Sequence, residues 1–165
     1  MTDTGTSGQG PAWKPPAGIG LGGLLREAEL AFSKVFRREL ARHSVTVAQY
    51  QHLRLLWEND GITQAEIARH LGIETPSSTA TLDSLEREGL VRRVRNRSDR
   101  RKVNVFLTER SLALRPALVE CARHTNRVAL EGIAESDVRR FFELARMLTG
   151  NLREHAETES AMPRE

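Results

Sequence analysis

Leu71-Gly72-Ile73-Glu74-Thr75-Pro76-Ser77, continued by Ser78-Thr79-Ala80-Thr81-Leu82-Asp83-Ser84-Leu85-Glu86-Arg87-Glu88-Gly89, is the stretch whose reading decides the fold. Gly72 closes one helix, and three residues later Thr75 is placed to cap the next. Pro76 then falls in the first turn, where its missing amide proton costs nothing. That second helix is expected to run to about Glu88 and to end at Gly89. Leu82 and Leu85, with Ser78 one turn earlier, should face inward, which turns Ser77, Ala80, Thr81 and Ser84 outward. Small hydroxyl and methyl side chains permit close approach to base edges, whereas a merely solvated face more often carries Glu and Lys.

Working outward, Thr63 with Glu66 forms a capping-box pattern that opens a short helix through Ala65, Ile67, Ala68 and Leu71. Thr46 with Gln49 repeats the pattern and opens a helix through Leu53, Leu56 and Trp57 that Gly61 terminates. Before it, Leu21, Leu24, Leu25, Ala28, Phe32, Val35, Phe36 and Leu40 recur at helical steps as one long stripe. After Gly89 the period changes. Val91 and Val94, then Val103, Val105 and Leu107, read as two strands joined by a polar tip at residues 96–101. Thr108 opens a long helix with Leu114, Leu118, Cys121, Thr125 and Val128 on one side and a bend expected near Pro116. A last helix carries Val138, Phe141, Phe142, Ala145, Leu148 and Leu152 before a polar tail from about Glu157. The fold class is therefore mainly α with a small β-wing: a winged helix-turn-helix over 46–107, and a helical dimerisation region over 19–45 and 108–156.

The chain has 165 residues, 28% charged and 5% aromatic, which suits one helical folding unit with an appended dimerisation element. No apolar run approaches the ~18 residues of a membrane span. No secretory leader is recognisable, and Cys121 has no partner for a disulfide or thiolate cluster, so the cytoplasm is the expected compartment, in association with the nucleoid. The net charge of +3 says little, but its placement says more. Arg92, Arg93, Arg95, Arg97, Arg100, Arg101 and Lys102 face a single acid, Asp99, a balance that favours phosphates. Residues 1–18 hold little apolar surface beyond Trp13 and are expected to form a disordered arm. The run Gly18-Ile19-Gly20-Leu21-Gly22-Gly23 imitates a dinucleotide fingerprint, but a Pro-rich segment precedes it where a strand is required.

With these elements in place the chain resembles the MarR family of bacterial regulators, in particular its SlyA-like branch. The resemblance rests on Leu71 to Ser77, on Leu82-Asp83-Ser84-Leu85-Glu86-Arg87-Glu88-Gly89-Leu90-Val91, on Ser98-Asp99-Arg100-Arg101 and on Leu107-Thr108-Glu109. It implies a triangular homodimer built from the first and last two helices, on a palindromic double-stranded DNA operator. Thr75, Pro76, Ser77, Ala80, Thr81 and Ser84 would meet the major groove. Arg95, Arg97, Asp99, Arg100 and Arg101 would form the wing's DNA surface, with Asp99 holding Arg101 for the minor groove. Spacing adds that residues two apart on a strand point the same way. Two positions depart from the family pattern: Ala80 stands where SlyA-like members carry a base-reading arginine, and His52 where an apolar or small residue is usual.

The resemblance also implies a small-molecule effector, such as an aromatic acid, in a cleft between the dimerisation helices and the winged domain. His52 and Arg26 are the candidate ligand residues, although a lone histidine on an apolar face is more often a satisfied core residue and Arg26 also reads as a surface charge. Cys121, on an apolar stripe, reads as packing rather than as a redox sensor. The histidines lack metal-ligand spacing, so no metal or other cofactor is expected. No nucleophile elbow, phosphate loop or zinc-hydrolase helix suggests an enzyme. The expected function is a sequence-specific transcriptional regulator, a repressor released by an effector; a ligand-indifferent activator or counter-silencer is the alternative.

Overall fold

The structure, a computed structural model, describes residues 20–161. The expected N-terminal arm and the start of the glycine run at Gly18 and Ile19 lie outside the described residues. The chain divides into two compact units, with the boundary in the sequence after Thr125.

The first unit holds α1 (Leu21–Ala41), α2 (Val47–Glu58), α3 (Gln64–Leu71), α4 (Thr75–Arg87), β1 (Val91–Arg95), β2 (Val103–Leu107) and most of α5 (Glu109–Ala129). Both expected capping boxes are present: Thr46 and Gln49 open α2, and Thr63 and Glu66 open α3, each pair exchanging side-chain and backbone hydrogen bonds. Gly72, in the left-handed region, closes α3 while the Ile73 amide reaches back to the Ala68 carbonyl. In α4 the cap is Glu74 rather than Thr75. The first helical hydrogen bond runs from the Ser78 amide to the Glu74 carbonyl, which places Thr75 already inside the helix.

One apolar core joins these elements. Leu40, Leu53, Leu56, Ile67, Leu82, Leu85, Val105 and Leu118 have no exposed surface. Only the last part of α1 enters it, through Phe36, whose ring meets Tyr50 edge-on at 4.8 Å, and Leu40. Leu21, Leu24, Leu25 and Phe32, further up the same stripe, are exposed. The Thr108 hydroxyl accepts from the Ser111 amide and so caps α5, which then runs unbroken through Pro116.

β1 and β2 pair antiparallel, with Val91 opposite Leu107 and Arg95 opposite Val103. The α2–α3 connection adds a short third edge: the Gly61 amide donates to the Val105 carbonyl, the Val105 amide to that of Ile62, and Thr63 bridges Asn104. Gly61 has φ +82°, and a Cβ there would sit 2.6 Å from the Phe106 ring. Both conformation and space demand glycine at this point.

The second unit, residues 126–165, is described as the end of α5 and α6 (Glu135–Ala161), which continues past Glu157. None of the described side chains of α6 is buried, and Phe141, Phe142, Met147 and Leu152 are all exposed. Among the described residues no helix is long and apolar enough to cross a membrane.

Gly61→Ala should destabilise the protein by about 2–4 kcal/mol, combining a left-handed penalty with overpacking against Phe106. Gly72→Ala, where φ is +65° but nothing lies within 4 Å, should cost only about 1 kcal/mol. Urea unfolding of both variants measures the contrast, and equal losses would show that the Phe106 contact is unimportant.

Candidate nucleic-acid interface

The orientation of α4 is fixed from beneath. Leu82 and Leu85 are sealed in the core, and Ser78 is 1% exposed beside an equally buried His52. His52 Nδ1 lies 2.8 Å from the Ala48 carbonyl, which can only accept, so this nitrogen bears the proton. Burial lowers the His52 pKa from its ordinary 6.5 and keeps the ring neutral. The Ser78 hydroxyl therefore donates to Nε2 across 3.1 Å, tying α4 to α2. His52 is thus a satisfied core residue with neither ring nitrogen left for a ligand, which corrects its candidacy as an effector contact.

With that face down, Thr75, Pro76, Ser77 and Ala80 are exposed and Thr81 is half-buried. The Thr81 hydroxyl donates to the Ser77 carbonyl at 3.2 Å, so its methyl and its lone pairs are what it can offer outward. Ser84 differs from its expected role. Its hydroxyl donates to Glu88 at 2.8 Å and accepts from Gln49 at 3.3 Å, and Gln49 also donates to Glu88. This half-buried network engages Ser84 in holding the end of α4 against the start of α2.

The wing tip is organised by two side chains acting on the backbone. Asn96 Oδ1 accepts from the amides of Ser98 and Asp99, while its Nδ2 donates to Asn104. Asp99 accepts from the Arg101 amide at 3.1 Å, and its second oxygen lies 3.9 Å from Lys102 Nζ. Asp99 therefore positions Arg101 through its main chain. The strand alternation invoked from spacing does not apply, because residues 96–102 form a turn and not a strand. Arg95, Arg97, Arg100 and Arg101 are all exposed on this tip.

Two of the seven cations turn elsewhere. The Arg92 guanidinium lies over the Phe106 ring at 4.6 Å. Arg93 faces α4: its amide, Nε and Nη2 all donate to Glu86 at 2.7–2.9 Å, and Nη2 also meets Asp83 at 2.6 Å. The hydrogen bonds from Arg93 hold the Glu86 carboxyl below the ordinary carboxylate value. Counting charge along the sequence missed this pair, and the one available signal was Glu86 and Arg93 on opposite sides of the Gly89 turn.

Arg26 is exposed on α1. Cys121 is 6% exposed, and burial, with Glu39 nearby, raises its thiol pKa, which disfavours the reactive thiolate. A surface hollow of about 590 Å³ lies elsewhere in the first unit, lined by His43, Ser44, Arg87, Glu88, Leu90, Arg110, Ala113 and Leu114. Neither His52 nor Arg26 borders it.

A helix-turn-helix whose second helix presents small side chains beside a basic hairpin defines a winged helix-turn-helix protein. Residues 45–103 match the model of the MarR family. The transcriptional regulator TtmR of Methylorubrum extorquens is 39% identical over 95 residues, covering 58% of this chain and 48% of that protein. The homoprotocatechuate degradative operon repressor of Escherichia coli is 36% identical over 91 residues, covering 55% of this chain and 61% of its own length. The chain thus spans from about half to just under two thirds of the length of these curated relatives. The crystal structure of the transcriptional regulator SlyA superposes with a TM-score of 0.73 at 26% identity, covering 82% of this chain and 97% of that one. The winged region of this chain is thus similar to the MarR family, and the relatives that match it are named as transcriptional regulators.

The buried neutral His52 gives a pH test. Its folded pKa lies below the unfolded value, so the unfolded state binds more protons as pH falls through 6.5. Its contribution to stability is complete above 6.5 and declines toward the folded pKa, by up to about 1.4 kcal/mol per pH unit. The stability difference between the wild type and His52→Gln should therefore shrink between about pH 7.5 and about pH 5.5 in chemical denaturation. A constant difference would show that His52 does not titrate as a buried neutral ring.

Proposed function

We propose that this protein is a homodimeric, sequence-specific DNA-binding regulator of transcription, acting as a repressor whose hold on DNA is weakened by a small-molecule effector. One observation carries the DNA-binding part: α4 is locked with Ser77, Ala80 and Thr81 outward, beside a wing tip that exposes Arg95, Arg97, Arg100 and Arg101. A helix of about 10–12 Å diameter fits the major groove, and arginines on an adjoining hairpin reach the narrow minor groove beside it. With Ala80 in place of an arginine, α4 offers thymine-directed methyl contacts and single hydroxyls. The wing then bears a large share of the specificity, and Arg101, set by Asp99, is the residue best placed for the minor groove.

The dimer is supported by the uncovered apolar faces of α1 and α6, with Leu21, Leu24, Leu25, Phe141, Phe142 and Met147 all exposed. A twofold dimer reads a palindrome whose half-sites lie about one helical turn apart. The effector reading is supported by the hollow beside the end of α4. His43, Arg87 and Arg110 surround the apolar Leu90 and Leu114 there, a lining that suits an organic anion with an apolar body. Its volume is that of a typical ligand pocket, and Glu88 on its wall belongs to the network that holds Ser84. One relative bears on this choice by analogy: the matched E. coli protein is a homoprotocatechuate degradative operon repressor. The site of action is the cytoplasm, on the nucleoid.

The test is titration of duplex DNA over a range of salt. The logarithm of the binding constant should fall steeply with the logarithm of salt, by roughly 0.9 per phosphate contacted, and a flat response would exclude this mode. At one fixed salt, Arg101→Ala should weaken binding to the preferred duplex about tenfold more than to a scrambled one. Arg97→Ala should weaken both alike, because phosphate contacts bear no sequence information. Sedimentation at micromolar concentration should give a dimer, and a stable monomer would refute the assembly. Arg110→Gln should abolish any release of DNA by organic carboxylates, while the lost charge lowers DNA affinity without them only modestly and for all sequences alike; release that persists would place the effector elsewhere.

A further inference from the structure

The link between Arg93 and α4 has no part in the phosphate-facing surface, and its form calls for an explanation. Strand alternation puts Val91 and Arg93 on one face of β1. Val91 is sealed in the core, and Arg93 is the next residue out on that face, with its side chain 23% exposed. One carboxylate, Glu86, receives both the main-chain amide and the guanidinium of Arg93. Asp83, one turn earlier on α4, receives the same guanidinium at 2.6 Å. A bond to the strand backbone fixes position, and a forked bond to the side chain fixes orientation.

The remaining attachments of the wing leave this role open. β2 is braced to the α2–α3 connection through Gly61 and Ile62. β1 joins α4 by a short turn through Gly89, whose φ of +69° and open surroundings make it a poor brace by itself. Val91 holds the start of β1 by apolar packing in the shared core, and Arg93 adds the polar side-chain link from β1 to α4.

We infer that Arg93 is a positioning residue that locks the wing to α4, so that α4 and the wing tip meet adjacent grooves in one fixed frame. This rests on the DNA-binding reading above. Single hydroxyls on α4 and a lone arginine at the tip discriminate sequence only when both arrive in register. Phosphate contacts by mobile side chains tolerate a shifted wing, so loss of the lock should reduce specificity far more than non-specific affinity.

Three variants separate this role from a phosphate contact. Arg93→Lys keeps the charge but lacks the fork. It should lower the ratio of preferred to scrambled duplex binding about tenfold, whereas a phosphate contact would survive it. Arg93→Gln should lower the same ratio and leave the salt slope unchanged; a slope shallower by about 0.9 would make Arg93 a phosphate ligand and overturn the proposal. Glu86→Ala removes a negative charge, which by field alone strengthens binding to any DNA. The lock requires instead that the ratio fall, and an unchanged ratio would contradict it. The preferred duplex is the one the wild type selects from random sequence, and the absence of any preference in the wild type would overturn both this role and the DNA-binding reading.

Amide hydrogen exchange on the free protein tests the lock without DNA. In Glu86→Ala the Arg93 amide should exchange at least about tenfold faster while the Val105 amide, bonded to Ile62, keeps its protection. Unchanged Arg93 exchange would show that the lock is absent in solution, whatever the DNA result. Parallel loss of protection at both amides would mark general destabilisation and likewise refute a specific lock.

Discussion

The buried face of α4, Ser78, Leu82 and Leu85, meets the core beside His52, and this seating sets everything above it. Two leucines without exposed surface resist rotation of the helix, since any turn about its axis brings apolar area into water at about 25 cal/mol per Å². The hydrogen bond from Ser78 to His52 adds direction to that apolar contact. A buried hydroxyl left without its partner costs on the order of 1–3 kcal/mol, so the helix has one favourable azimuth. Ser77 and Ala80 point outward because Ser78 and Leu82 point in.

The wing extends the same logic with weaker, polar parts. Too short to form a core of its own, a two-stranded hairpin needs outside support. Val91 and Val105 enter the core, the α2–α3 connection adds a third edge, and Arg93 reaches α4. Beyond Arg95 the support ends. Asn96 and Asp99 order the tip locally by accepting backbone amides, while the arginine side chains are exposed. A rigid stem with adaptable cationic ends suits a partner whose groove width varies with sequence.

Much of this was readable from residue order because the signals are local. Each capping box spans three residues, each glycine stop is a single position, and the change of period after Gly89 is visible within one turn of chain. The one-residue displacement of the α4 cap, from Thr75 to Glu74, shows where local reading stops: the first helical hydrogen bond decides the cap, and Pro76 supplies no amide to mark it. Partners far along the chain are another matter. Ser84 is engaged by Gln49, thirty-five positions away, which its own neighbourhood does not show; His52 reads as a core residue from its apolar face, but its partner Ser78, twenty-six away, does not. Arg93 was counted as one more phosphate-facing cation because a charge tally does not register the carboxylates opposite it. Arg26 is an exposed residue of α1, as its reading as a surface charge has it, and neither it nor His52 borders the hollow beside α4 and α5.

The central claim is that a fixed helix face and a braced basic wing together read DNA as a twofold pair. Selection of duplexes from a random-sequence pool by the full-length protein at near-physiological salt tests it most directly. The account predicts enrichment of an inverted repeat with half-sites about one helical turn apart, flanked by narrow A·T-rich minor grooves. Recovery of sequences with no shared repeat, at affinities equal to the unselected pool, would contradict it.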